Sequence, residues 1–260
     1  MTAGGLAPGP PGRAEPWRAA AALAALGVVA VFLALPRPLS PTLFAFAAPL
    51  AAALAVSGAI LGWSAGQGAP LLDALLHGQP AGATAWRGLA IGAASGFALG
   101  AAMLLALRYF LLPAIPALGT RLAAEVPLPA ATRWLIAFDS AVLEELLYRL
   151  FLLSGMVVAL RRIATRPGRL SPEGTMWIAI ALSALLFAAA HLPPWTQTSG
   201  GAPGLVLGVV LVLNAIGGMV FGIVYVRRGI EAAMLAHFAA DVVLHVIGPW
   251  FAGARSGIPA

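Results

Sequence analysis

Trp134–Leu160, WLIAFDSAVLEELLYRLFLLSGMVVAL, is the stretch on which the reading of the whole chain turns. It is long enough to cross a bilayer, which takes ~20 predominantly apolar residues. Yet it carries Asp139, Glu144, Glu145 and Arg149. An ionisable side chain at the centre of a span costs at least ~2.5 kcal/mol on insertion scales and is rarely tolerated against lipid. The stretch therefore predicts a membrane helix whose polar side chains face other helices.

The rest of the chain agrees with that environment. Apolar residues make up 61% of it and charged residues 9%, against about 25% charged in a soluble domain. The mean hydropathy is +0.94. Every basic side chain is Arg, and the formal charge is +6. The arginines lie between apolar runs, where the positive-inside rule puts them, so the charge is not read as nucleic-acid binding. The richness in Ala, Gly, Pro and Arg suggests a GC-rich genome, and the expected location is a prokaryotic cytoplasmic membrane. With no Cys in the chain, disulfides, thiol nucleophiles and Cys-ligated metals are excluded.

Apolar segments near 19–35, 42–63, 88–112, 134–160, 175–192, 204–226 and 230–252 predict seven spans. An eighth has room in 64–86 or 113–132, where Leu71, Leu72, Leu75 and Leu76 would suit a short interfacial helix. The first apolar run follows Arg13 and Arg18 like a signal peptide, but its length predicts a retained helix. The fold class is all-α, a polytopic transmembrane helix bundle. The expected organisation is a disordered tail over 1–16, scaffold helices over 17–132, a catalytic bundle over 133–252 and a tail over 253–260. The 161–173 loop carries Arg161, Arg162, Arg166 and Arg169, and Arg227 and Arg228 follow the sixth span. The 193–203 loop carries no charge. The basic loops and the N-terminus are thus expected on the cytoplasmic side.

Ionisable residues concentrate in the last four spans, which makes those a site and the first three a scaffold. Glu145 and Arg149 are four apart and share a helix face, acid first, the favourable order. Their contact is expected to be charge-assisted and two-pronged. Glu144 points ~100° away, is left without that partner, and suits a general base. His191 ends the fifth span. His237 and Asp241 share a face of the seventh, where the carboxylate would fix the imidazole's tautomer. Each feature has a plainer structural reading: a buried ion pair, an interfacial histidine, an internal His–Asp contact. Gly218 and Gly222 have the spacing that allows close helix packing, and Asn214 reads as interhelical glue. No Ser or Cys nucleophile accompanies the set, so carboxylate-activated water is the economical chemistry.

In order along the chain, Glu-Glu-x-x-x-Arg (Glu144, Glu145, Arg149), Phe-x-x-x-His (Phe187, His191) and His-x-x-x-Asp (His237, Asp241) resemble the motifs of the type II CAAX prenyl endopeptidases. These belong to the wider CPBP group of CAAX proteases and bacteriocin-processing enzymes. The resemblance covers roughly residues 130–250. It implies an α-helical intramembrane endopeptidase acting on a membrane-associated protein or peptide. By the resemblance, Glu144 activates water, His191 holds it, His237 and Asp241 serve the oxyanion, and Glu145 and Arg149 support the site. The last position is often Asn in that family and is Asp241 here. No cofactor is expected. If zinc were bound, Glu144, His191 and His237 would be its ligands, although no His-Glu-x-x-His spacing is present. The loop charges put the site's mouth opposite the arginine-rich loop, whereas the family's CAAX processing implies a cytosolic opening. Two other readings are a non-proteolytic bacteriocin-immunity or scaffold protein and a proton-coupled carrier. The carrier would be expected to show internal repeats, which this chain lacks.

Overall fold

The computed structural model describes residues 16–35, 40–118, 128–163, 171–196 and 204–249, and these are helical with short links and no strand. The tails expected over 1–16 (Pro16 apart) and 253–260 lie outside the described residues. Helix α1 is Pro16–Ala34 and α2 is Pro41–Ala65. α2 starts on Ser40, whose side chain accepts from the Leu43 amide, and ends at Gly66, whose φ of 80° is the left-handed cap that glycine adopts without strain. A short α3, Pro70–Leu76, follows. α4 is Ala83–Ala106 and continues through a π-helical turn, Leu107–Leu111, into Leu112–Ala114.

α5 runs through three parts: Ala130–Glu144, a π-helical Glu145–Leu153, and Ser154–Ile163. α6 is Pro172–Ala190, capped by Ser171, and a single turn, Pro193–Thr196, comes after it. α7 is Gly204–Arg228. α8 is Ile230–Asp241, continued by a π-helical Val242–Ile247.

Six of these helices are long and apolar enough to cross a membrane: α1, α2, α4, α6, α7 and α8. On length and apolar composition, six spans are found among the described residues, against the seven or eight expected. The fourth predicted span, 134–160, does form, as α5, but Asp139, Glu144, Glu145, Arg149, Arg161 and Arg162 keep it out of the apolar set. The eighth is not found in 64–86, where α3 has seven residues, far short of ~20. Residues 119–127 of the other candidate stretch lie outside the described residues. Large apolar side chains such as Phe46, Phe97, Phe110 and Leu205 are exposed, as a lipid-facing surface requires.

Glycine decides how the helices meet. Gly88, Gly92, Gly96 and Gly100 form one buried stripe on α4. A Cβ on Gly92 or Gly96 would run into the carbonyl oxygens of Ala232 and Ala236. α4 and α8 thus lie backbone to backbone, the approach that small-residue spacing permits in lipid. On α7, Gly218 lies against the Ala184 backbone of α6, and Gly222 makes room for the Ile180 side chain. Asn214 donates to Val210 of its own helix at 2.8 Å, so it is not the interhelical glue expected.

One end of the bundle is laced together. Arg18 Nη1 donates to the Leu76 carbonyl at 3.5 Å, and Arg161 Nη1 to that of Ala65 at 3.0 Å. The Ile230 amide donates to the Gly68 carbonyl at 3.1 Å, and the Leu72 amide to Glu231 Oε1 at 2.9 Å. The 66–76 segment is thereby fastened across the starts of α1 and α8 and the ends of α2, α5 and α7. Gly88 lies against Arg228, which brings the start of α4 to the same end.

Candidate active site

The six candidate residues come from α5, α6 and α8 and converge. Glu145 is the hub. Its Oε1 lies 3.0 Å from Arg149 Nη1 and 3.0 Å from His237 Nδ1. The expected two-pronged Glu145–Arg149 contact is replaced by a single ion pair. The guanidinium's Nη2 is used elsewhere, donating to the Gly218 carbonyl at 3.3 Å. The π-helical register of this stretch opens i→i+5 bonding, and Ser154 Oγ fills in by donating to the Arg149 carbonyl at 3.3 Å. Arg149 also lies over the rings of Phe187 and Phe221, at 4.5 and 5.4 Å from their centroids. Those are cation–π distances, and the Nε and Nη1 atoms of this buried guanidinium have no hydrogen-bond partner.

His237 stacks on Phe221, with ring centroids 4.6 Å apart and planes 19° from parallel. Phe187 meets His237 edge-on at 5.7 Å and His191 at 4.6 Å. The Phe of the second motif is thus the packing element that holds both imidazoles. His191 Nδ1 lies 2.8 Å from the Phe187 carbonyl. A carbonyl only accepts, so Nδ1 carries the proton and Nε2 presents a lone pair. That lone pair faces Glu144 Oε2 at 3.9 Å, and His237 Nε2 faces the same oxygen at 3.8 Å. Glu144 Oε2 is buried and has no hydrogen-bond partner.

Asp241 differs from expectation. Its Oδ2 is 3.6 Å from His237 Nε2, too long for a direct hydrogen bond, so it does not fix the tautomer that way. Glu145 holds the ring instead, through the other nitrogen, from a different helix. Asp241 Oδ2 accepts from Ser140 Oγ at 2.6 Å. Ser140 lies in α5, four residues before Glu144, and no motif marks it. Nor does a motif mark Tyr225, whose hydroxyl meets Ser154 Oγ at 2.7 Å beneath the arginine.

Exposure divides the six. The side chains of Glu144 and His191 are 29% and 32% exposed, while those of Glu145, Arg149 and His237 are at most 5% exposed. The set offers one accessible carboxylate beside two imidazole nitrogens, above an inaccessible ionic layer. Among the described residues, no group of three or more His, Asp or Glu is placed to hold a metal ion. Glu144, His191 and His237 as arranged thus do not fit the zinc set, and no step below passes through a metal.

No curated protein and no solved structure matches the chain. A family model does: that of the type II CAAX prenyl endopeptidase Rce1-like family matches residues 127–243. The match spans the described parts of α5, α6 and α7 and most of α8, and includes all six candidate residues. Over residues 127–243, the chain is similar to the Rce1-like type II CAAX prenyl endopeptidase family.

Proposed function

We propose that the protein is an intramembrane endopeptidase in which Glu144 activates water against a peptide bond of a membrane-associated substrate. The observation that carries the reading is the buried, unpartnered Glu144 Oε2 aimed at two imidazole nitrogens. Gaps of 3.8 and 3.9 Å are too long for direct bonding and suit a bridging water. His191 Nε2 accepts a hydrogen bond from one O–H of that water, and Glu144 takes the proton of the other as the oxygen attacks the carbonyl carbon. In its protonated form His237 donates from Nδ1 to Glu145 and from Nε2 to the developing oxyanion. The C–N bond then breaks as the proton held on Glu144 passes to the leaving amine. Asp241, held by Ser140, flanks Nε2. Glu145 and Arg149 position His237.

The expected setting is the cytoplasmic membrane of a prokaryote, within the CPBP group. The test is a comparison of membrane-protein termini between a wild-type strain and one carrying Glu144→Gln. New intact precursors in the variant are expected. Identical termini in the two strains would overturn the protease reading.

A further inference from the structure

The candidate site has a floor and a mouth, and both can be assigned to an end of the bundle. α5 runs toward the arginine-rich end, where Arg161 binds the Ala65 carbonyl. Residues that follow Glu145 in α5 therefore lie between the site and that end. They form a sealed layer: Arg149, Leu150, Leu153 and Ser154, closed from α7 by Tyr225, are each no more than 2% exposed. A cavity of about 490 Å³ does open at that end, lined by Gly66–Pro70 and Arg227–Gly229. It reaches Leu150, and none of the six candidate residues lines it.

The opposite end is different. α6 begins beside Arg227, with Glu173 and Trp177 lining one gap with it, and stops at His191. α5, α7 and α8 continue past the site: α5 by its segment before Glu144, α7 by its segment before Asn214, and α8 through Ile247. α6 gives way just past the site to the Pro193–Thr196 turn, and the two exposed members, Glu144 and His191, lie at that end.

The ends also differ in charge. Among the described residues, Arg18, Arg87, Arg161, Arg162, Arg227 and Arg228 lie at the sealed end, and Arg108 and Arg133 toward the open one. Such a bias marks the sealed end as cytoplasmic.

We infer that the site opens to the extracytoplasmic side of the membrane, so that its substrates are membrane-anchored polypeptides whose scissile bond lies outside the cytoplasmic leaflet. This rests on the protease reading for the word substrate, but the direction of opening does not. Water, a peptide or a reagent must reach Glu144 past the end of α6.

The chain has no cysteine, so single-cysteine variants report one position each. Glu173→Cys and Thr196→Cys mark the two ends of α6, and His191→Cys marks the site. A membrane-impermeant maleimide is added to intact cells and, separately, to permeabilised cells. Thr196→Cys and His191→Cys are expected to react on intact cells, and Glu173→Cys only after permeabilisation. Labelling of Glu173→Cys on intact cells would overturn the orientation. Labelling of His191→Cys only after permeabilisation, or not at all, would overturn the opening. None of these outcomes depends on catalysis, so they stand apart from the comparison of protein termini, which judges proteolysis alone.

Discussion

Glu144 and Glu145 are neighbours in the chain and occupy opposite environments. Glu145 belongs to the sealed layer, where one oxygen meets both a guanidinium and an imidazole at 3.0 Å. Glu144 belongs to the mouth, where its buried oxygen faces two imidazoles across gaps too wide to bond. One carboxylate is held in place by a guanidinium and an imidazole. The other is left free to take and return a proton. Two adjacent acids can thus divide structure from chemistry, because successive helix positions point to different neighbours.

The largest test of that division falls on the sealed layer. Arg149→Ala leaves Glu145 an uncompensated buried charge, and breaking such a pair costs about 3–5 kcal/mol. Thermal unfolding in detergent should show a marked loss, together with lower folded yield. An unchanged melting curve would mean that the layer does not hold the bundle.

A smaller effect is expected where the scaffold meets the site. Gly96→Ala drives a Cβ against the Ala236 carbonyl, one residue from His237. Overpacking of this kind costs about 1–3 kcal/mol. It should also shift α8 and lower the turnover rate on a cleavable membrane peptide. Wild-type turnover in this variant would show that α4 does not set the position of His237.

Smaller still is Ser140→Ala, which removes the donor to Asp241 Oδ2. The loss of a partly buried hydrogen bond is about 1 kcal/mol. Stability should change little, and turnover should fall by less than about tenfold, since 1.4 kcal/mol corresponds to a factor of ten. A collapse of activity equal to that of a catalytic variant would place Ser140 in the chemistry itself.

Much of this arrangement can be read from the sequence, and the limits are instructive. The apolar runs give most of the helices because lipid demands their length and composition. α5 escapes the apolar criterion because it carries the ionisable side chains that identify it. The Glu145–Arg149 pairing follows from a four-residue spacing, which a one-dimensional pattern can express. The Glu145–His237 and Ser140–Asp241 contacts cannot be expressed that way, since their partners are 92 and 101 residues apart. For the same reason Asp241 is misread from spacing alone: sharing a face with His237 does not bring it within bonding distance. The π-helical register of Glu145–Leu153 is also not legible, because no residue type signals it. The stripe Gly88, Gly92, Gly96, Gly100 does announce a close-packing face, but not that α8 lies against it.

The most direct test of the central claim is the rate at which purified Glu144→Gln cleaves a membrane-anchored peptide that the wild type cuts, measured beside its melting curve. Gln preserves shape but cannot take a proton from water. The account predicts a fall of roughly 10²–10⁴-fold, the range of general-base catalysis, with wild-type melting. Cleavage near the wild-type rate by a folded Glu144→Gln protein would contradict it.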